Sequence, residues 1–136
     1  MKKIVKGGCI LVNKNNQIAL VYRDYRNDYS FPKGHVEEGE SLVECAIRET
    51  EEEIKRKVKL ISEEEICFEK YSSFEGEVVV HYYLGIDDGD SDNTSEEVHD
   101  LIWCDIDSIY DKLTHESTKN MFLEVKDKII NNVSCL

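Results

Sequence analysis

A chain of 136 residues with 40% hydrophobic and 34% charged side chains has the size and composition of one folded domain, and it is unlike a disordered protein. Its 17 basic and 29 acidic residues give a net charge of −12, which argues against a protein that follows DNA or RNA along a basic groove or lies on an anionic membrane. If the ligand carries phosphate, we expect divalent cations to assist its binding.

The first predicted elements are the two strands of a β-hairpin. Residues 3–12 and 17–22 are rich in Ile, Val and Leu, and the Asn-Lys-Asn-Asn segment between them is a turn signal. A polar segment, 23–30, leads to Pro32, the only proline of the chain. Because proline fixes its own φ angle and favours an extended residue before it, we expect a stiff loop at residues 31–35.

The clearest helix prediction covers residues 41–55. Ser41 and Glu44 have the spacing of a capping box, in which each side chain accepts a hydrogen bond from the backbone N–H of the other residue. Four residues at helical spacing predict the stripe that packs on the core: Val43, Ile47, Thr50 and Ile54.

The rest of the chain alternates short strands with one further helix. Strands are predicted at residues 58–61, 65–71, 77–86 and 101–106. The acidic segment 87–97 is predicted to be a loop, and residues 115–131 are predicted to form the second helix. Strands and helices in this order predict an α/β or α+β sandwich, with a mixed sheet between the helices.

Three carboxylates are expected to meet on the first helix. Glu49, Glu52 and Glu53 fall within an arc of about 100° on the helical wheel, at spacings of three and four residues. Such carboxylates repel one another unless a hard divalent cation such as Mg²⁺ or Mn²⁺ lies between them. The alternative is an acidic helix face exposed to solvent. The helix pattern by itself favours this alternative, because the whole chain is rich in acidic residues.

The pattern around this helix has a fixed spacing of small and charged residues. From Gly34 the charged positions follow at intervals of five and then seven residues: Gly34, Glu40, Arg48, Glu49, Glu52 and Glu53. This pattern resembles the signature of the Nudix hydrolase (MutT-like) superfamily, G-x5-E-x7-R-E-U-x-E-E-x-G-U, where U is a bulky apolar residue. The resemblance implies an α/β fold of the Nudix type, an α/β/α sandwich with a central mixed β-sheet. It also implies a single domain over residues 1–136, with its Nudix box at residues 34–56.

Three positions depart from the family pattern. Thr50 and Arg56 stand where larger apolar residues are usual, and Lys55 stands where glycine is usual. Glycine normally ends a helix in the left-handed conformation. Lys55 must therefore adopt that conformation at some cost, or the helix must run on.

The resemblance implies roles for individual residues. Glu52 and Glu53 are expected to be the principal metal ligands, and Glu49 a further ligand or the base near the attacking water. The backbone carbonyl of Lys33 is expected to be another ligand, and Arg48 is expected to orient the glutamates. The implied cofactor is Mg²⁺ or Mn²⁺, and the implied reaction is attack of water on a phosphoanhydride of a nucleoside diphosphate linked to another group.

The segment Pro-Lys-Gly-His at residues 32–35 narrows the implied substrate. It is similar to the corresponding segment of bis(5′-nucleosyl)-tetraphosphate hydrolases, so a small nucleotide polyphosphate such as diadenosine tetraphosphate is favoured. Lys33 is expected to bind a phosphate oxygen, and Arg23 to clamp an outer phosphate. His35 is expected to bind phosphate or donate a proton, with local packing as an equal alternative.

Two further residues are candidates for the site. Glu97 precedes Trp103 by six residues, a spacing similar to that of an acidic segment in dinucleoside polyphosphate hydrolases, although Val98 replaces the usual His. We expect Glu97 to bind a metal or act as a general base. Tyr82 and Tyr83 point to opposite faces of a strand, so one is expected in the core. The resemblance favours an aromatic of this strand, here Tyr82, for stacking on a nucleobase, with packing as the alternative.

The five cysteines are widely spaced and form no C-x-x-C pair, which favours reduced thiols and a cytoplasmic protein. No apolar run approaches the roughly 20 residues of a membrane-spanning helix. Three alternative functions stay open: a housecleaning nucleoside triphosphate pyrophosphatase, an RNA 5′-end pyrophosphohydrolase, and a ligand-sensing domain of this fold without turnover.

Overall fold

One mixed sheet with helices against its two faces forms the fold in the computed structural model, which describes residues 2–96 and 99–134. The strands of the described residues are β1 (Lys3–Val12), β2 (Gln17–Arg23), β3 (Asp28–Ser30), β4 (Lys33–His35), β5 (Arg56–Leu60), β6 (Cys67–Ser73), β7 (Gly76–Asp90) and β8 (Asp100–Asp105). The helices are α1 (Leu42–Ile54), α2 (Ile109–Lys112) and α3 (Glu116–Ser134), with a 3-10 turn at Ile106–Ser108.

The strand order of the sheet places β1 at its centre. The main path is β3-β2-β1-β7-β5, while β4 pairs with β1, β6 with β7 and β8 with β2. β1 and β7 run parallel over the whole length of β1, from Lys3 beside Glu77 to Val12 beside Ile86. The other pairs are antiparallel, so the predicted mixed sheet of an α/β fold is confirmed.

Alternation along β1 gives each face of the sheet its own core. Ile10 and Val12 belong to the large cluster that contains Phe122 of α3, whereas Cys9 belongs to a cluster with residues of α1. Helix α1 lies close to the strand because Gly7 has no side chain there. A Cβ at Gly7 would lie 3.0 Å from the carbonyl oxygen of Leu42.

Both ends of α1 have specific caps. The Ser41 hydroxyl accepts from the Glu44 N–H at 3.1 Å, and the Glu44 carboxylate accepts from the Ser41 N–H at 3.0 Å, so the predicted capping box is confirmed. At the other end Lys55 is left-handed, with φ 55° and ψ 41°, and its N–H donates to the Glu51 carbonyl. The helix therefore stops where the glycine of the family pattern would stop it, at a cost of about 1–2 kcal/mol in a residue with a Cβ.

The predicted stripe of α1 is confirmed in part, because Thr50 and Ile54 are buried. Val43 and Ile47 are only half-buried, while Ala46 is fully buried beside Cys9 of β1. Two acidic side chains, Glu49 and Glu53, are also buried. Ile54, a large apolar residue of the stripe, packs with Leu11 of β1.

Strand β7 is longer than predicted. The acidic segment from residue 87 was expected to be a loop, but β7 continues to Asp90 because β5 pairs with it. Arg56 supports this extension by donating to Asp87 at 2.8 Å. Within residues 2–96 and 99–134, no helix is long and apolar enough to cross a membrane.

Candidate active site

The short strand β4 brings the Pro-Lys-Gly-His segment against α1. Gly34 pairs with Gly7 of β1, and its backbone lies against the carboxylate of Glu49. A Cβ at Gly34 would overlap that carboxylate. A side chain at residue 34 would therefore displace the buried Glu49 carboxylate, which gives the glycine of the sequence pattern a structural reason.

Arg48 joins the carboxylates at the surface of α1. It donates through Nε and Nη2 to both oxygens of Glu40, at 2.6 and 2.9 Å. Its Nη1 donates to Glu49 at 2.7 Å and to Glu52 at 3.1 Å, and Nη2 also donates to the His35 carbonyl at 2.9 Å. The hydrogen bond from Arg48 lowers the pKa of Glu40, and the same contact raises the pKa of Arg48.

Glu53 connects α1 with two other segments. Its Oε1 accepts from the Lys33 N–H at 2.7 Å, and its Oε2 lies 3.6 Å from Nε2 of His99. The His99 N–H also donates to the Glu53 carbonyl at 2.9 Å. Sequence reasoning missed His99, although it follows Val98, which stands where a histidine is usual in the related segment.

The donor set of this cluster suits a hard divalent cation. Arg48 contacts four carboxylates, those of Glu37, Glu40, Glu49 and Glu52. One guanidinium cannot balance four negative charges, and carboxylate and carbonyl oxygens are the ligands that Mg²⁺ and Mn²⁺ prefer. Among the described residues, no three His, Cys, Asp or Glu side chains are grouped so that they could hold a metal ion as they stand. The glutamates Glu49 and Glu52 instead converge on a single nitrogen of Arg48.

A cavity of about 380 Å³ opens beside β4. Arg23, Arg26 and Lys33 line one part of it, and residues of β6 and of the start of α3 line the rest. Two hydrogen bonds to Asp28, at 2.9 and 2.7 Å, hold the Arg23 guanidinium. Burial and the nearby Arg23 lower the pKa of the Lys33 ammonium. This cavity therefore places basic groups next to the cluster of glutamates.

Glu69 is a buried acid of this cavity that the sequence analysis did not identify. It is 4% exposed, and its carboxylate accepts three hydroxyl hydrogen bonds, from Tyr82 at 2.9 Å, Ser117 at 2.9 Å and Thr118 at 3.0 Å. There was little indication of this burial in the sequence. A buried glutamate on a strand cannot be told from an exposed one in the sequence when the hydroxyl groups that bind it lie far away in the chain.

The prediction that Tyr82 stacks on a nucleobase is wrong. Its ring is 0% exposed and lies edge-on to Phe31, with ring centroids 5.6 Å apart. Burial and the neighbouring Glu69 carboxylate raise the pKa of the Tyr82 hydroxyl. Tyr82 belongs to the core between the sheet and α3, the alternative left open by its sequence pattern.

Two further predicted site residues are His35 and Glu97. His35 is exposed at the end of β4, and only its carbonyl contacts the cluster, through Arg48. Glu97 lies outside the described residues, which end at 96 and resume at 99.

Comparison with known proteins agrees with this arrangement. Residues 3–125 match the NUDIX domain. The chain belongs to the NUDIX domain family. The family and the hydrolase class predicted from residues 34–56 are thus confirmed.

Individual relatives of this Nudix hydrolase are distant in sequence. It is 29% identical over 140 residues to an RNA pyrophosphohydrolase of Pelagibacter ubique (strain HTCC1062), covering 90% of this chain and 88% of that protein. It resembles an Ap4A hydrolase from C. elegans, solved as a binary complex, with a TM-score of 0.72 and 21% identity over 94% of this chain and 98% of the other. A NUDIX family hydrolase from Clostridium perfringens has a TM-score of 0.74 at 14% identity over 96% of this chain and 99% of the other. These solved structures support the fold.

Proposed function

We propose that this Nudix hydrolase uses Mg²⁺ or Mn²⁺ to cleave a phosphoanhydride bond in a nucleoside diphosphate linked to another group. The favoured substrate is a dinucleoside polyphosphate such as diadenosine tetraphosphate. The observation that carries the proposal is the convergence of Glu49 and Glu52 on one nitrogen of Arg48, with Glu53 against the Lys33 backbone at the edge of a basic cavity.

The residues divide the chemistry between them. Glu49, Glu52 and Glu53, together with the Lys33 carbonyl, would hold the metal, and Glu97 stays a proposed further ligand or general base. When bound, the metal would neutralise phosphate charge and make a water molecule a better nucleophile. Arg48 keeps the glutamates in place through its hydrogen bonds.

The cavity would hold the polyphosphate. Arg23 and Lys33 line it, and both carry donors suited to phosphate oxygens. His35 does not line the cavity but is exposed two residues after Lys33, and we propose that it contacts an outer phosphate. The volume of this cavity, about 380 Å³, lies at the lower end of typical ligand sites.

The choice of substrate has two specific supports. The Pro-Lys-Gly-His segment at residues 32–35 and the likeness to the C. elegans Ap4A hydrolase favour a dinucleoside polyphosphate. The 29% identity to an RNA pyrophosphohydrolase favours a second candidate, removal of pyrophosphate from RNA 5′ ends. The net charge of −12 weighs against long RNA, which is itself an anion.

The test is a comparison of products over a substrate panel. The purified protein is incubated with Mg²⁺ and, separately, with diadenosine tetraphosphate, nucleoside triphosphates, ADP-ribose and 5′-triphosphorylated RNA. We expect AMP and ATP from diadenosine tetraphosphate at the highest kcat/KM of the panel. Release of pyrophosphate mainly from nucleoside triphosphates or from RNA would assign one of the other two activities. Binding without turnover of any compound would assign a ligand-sensing domain.

A cytoplasmic location is part of the same proposal. The four described cysteines, Cys9, Cys45, Cys67 and Cys104, are all free thiols. Burial raises the pKa of Cys9 and of Cys67, each to about 12, so these thiols resist ionisation and oxidation. Such thiols suit a reducing compartment.

A further inference from the structure

Lys55 combines a strained backbone with a side chain that reaches another segment. Its φ of 55° belongs to the left-handed region, which favours glycine. Its ammonium donates to the Ser95 carbonyl at 2.6 Å and to the Asn93 side-chain oxygen at 3.4 Å. Glycine at this position would hold the same backbone conformation with less strain, but it would lose both contacts. A residue with a Cβ persists in a strained conformation when the rest of the structure uses it.

The segment that Lys55 reaches is residues 91–96, which follow the end of β7. The Ser91 N–H donates to the Lys55 carbonyl at 3.0 Å, and the Ser91 hydroxyl donates to Glu51 of α1 at 2.9 Å. Inside the segment, the Asn93 side chain accepts from the Ser95 N–H at 2.8 Å. The Lys55 ammonium therefore binds the centre of a folded turn and fastens it to the C-terminal end of α1.

His99 is the first described residue after the 91–96 segment, and it contacts Glu53. The His99 N–H donates to the Glu53 carbonyl at 2.9 Å, and the ring nitrogen lies 3.6 Å from the Glu53 carboxylate. The partners of Lys55 and the residue that contacts Glu53, a proposed metal ligand, thus lie within a few residues of each other in the sequence. Both contacts are made at the C-terminal end of α1.

We propose that Lys55 is a positioning residue: its ammonium holds the 91–96 segment on α1 and thereby keeps His99 against Glu53. The effect of Lys55 on catalysis rests on the proposed function, whereas its effect on the position of the 91–96 segment and His99 does not. Lys55 does not touch the cavity, so its effect is on the placement of other groups.

The experiment distinguishes the effect of the Lys55 ammonium from the effect of its left-handed backbone. Lys55→Gly removes the ammonium while improving the left-handed conformation, so we expect a thermal midpoint equal to or above that of the wild type. Lys55→Arg keeps a cation of similar reach and tests rescue. Lys57→Met removes a positive charge from an exposed position two residues away and serves as the matched control.

The first readout is amide hydrogen exchange in the protein without added metal or substrate. In Lys55→Gly we expect the Ser91 and His99 N–H groups to exchange at least about tenfold faster, while the amides of α1 exchange as before. Lys55→Arg and Lys57→Met should keep the wild-type rates. Unchanged exchange at both amides in Lys55→Gly would overturn the proposal, whether or not the protein is a hydrolase.

The second readout is the kinetics on the best substrate of the panel. We expect kcat to fall by about tenfold or more in Lys55→Gly with little change in KM, because a misplacement of about 1 Å can cost about 100-fold in rate. Lys55→Arg should recover most of that loss. Faster amide exchange with an unchanged kcat would show that Lys55 holds the 91–96 segment without affecting catalysis. That result would overturn the proposed effect of Lys55 on kcat. Absence of turnover in the wild type would instead contradict the proposed function.

Discussion

At the scale of single residues, the site depends on side chains that have more than one partner. Glu53 accepts from Lys33, lies beside His99 and is proposed to hold a metal. Glu49 lies against Gly34 and accepts from Arg48. Substitutions at these positions therefore affect both structure and chemistry, and each prediction needs a variant that separates the two.

Glu53→Gln is expected to lower kcat by about 100-fold or more, since even the outer partners of metal ligands are worth about 10- to 100-fold. The fold should be kept, because the amide oxygen of Gln can still accept from the Lys33 N–H. Steady-state kinetics and Mn²⁺ titration measure the effect. Glu63→Gln, at an exposed position, should leave both unchanged. A Glu53→Gln variant with wild-type metal binding and turnover would refute the assignment of Glu53.

Gly34→Ala is expected to destabilise the protein by about 1–3 kcal/mol, because the new Cβ overlaps the Glu49 carboxylate. Urea unfolding measures the loss. In a Glu49→Ala background the obstructing carboxylate is absent, so Gly34→Ala should cost less there. Equal costs in the two backgrounds would show that the overlap is not the cause.

At the scale of elements, α1 positions the site through its two ends. The capping box fixes where the helix begins, and the left-handed Lys55 fixes where it ends. Between them β4 packs its glycine against the helix, so Glu53 faces the Lys33 backbone and Arg48 faces Glu40. Substitutions at the caps are therefore expected to lower the free energy of unfolding more than they lower the rate of catalysis.

Ser41→Ala is expected to lower the free energy of unfolding by about 1 kcal/mol, because it removes the side-chain acceptor of the Glu44 N–H. Urea unfolding again measures the change. The matched control is Ser108→Ala, since Ser108 precedes α2 without a side-chain cap. That control should stay within about 0.5 kcal/mol of the wild type. A similar loss in both variants would show that the cap is not responsible.

At the scale of the whole molecule, stability should depend on pH through the Arg48 network. The hydrogen bond from Arg48 lowers the pKa of Glu40 below the usual range of a glutamate. A carboxylate with a lowered pKa in the folded state stabilises that state above its unfolded pKa, and the contribution is lost as the pH falls through the folded pKa.

The pH prediction is tested by urea midpoints measured from pH 6 down to pH 3. We expect the wild type to lose stability below about pH 4.5, the usual range of a free Glu. Glu40→Gln should begin less stable at pH 6 and lose less over the same range. Parallel curves for the two proteins would show that Glu40 does not contribute to acid sensitivity.

The sequence was most informative where a feature depends on neighbouring residues. The hairpin and the capping box of Ser41 were readable, because their turn and cap are local. Glu69 and His99 were not, since their partners come from other elements and no local pattern encodes those contacts. Tyr82 was misassigned because alternation along a strand does not tell which face is covered.

The parallel pairing of β1 with β7 also bears on how the enzyme is made. Lys3 lies beside Glu77, so the central strand has no lasting neighbour on that side until most of the chain has left the ribosome. Contacts between such distant parts of a sequence form slowly. A truncated product that stops before β7 should therefore carry the entire glutamate helix and still possess no working catalyst.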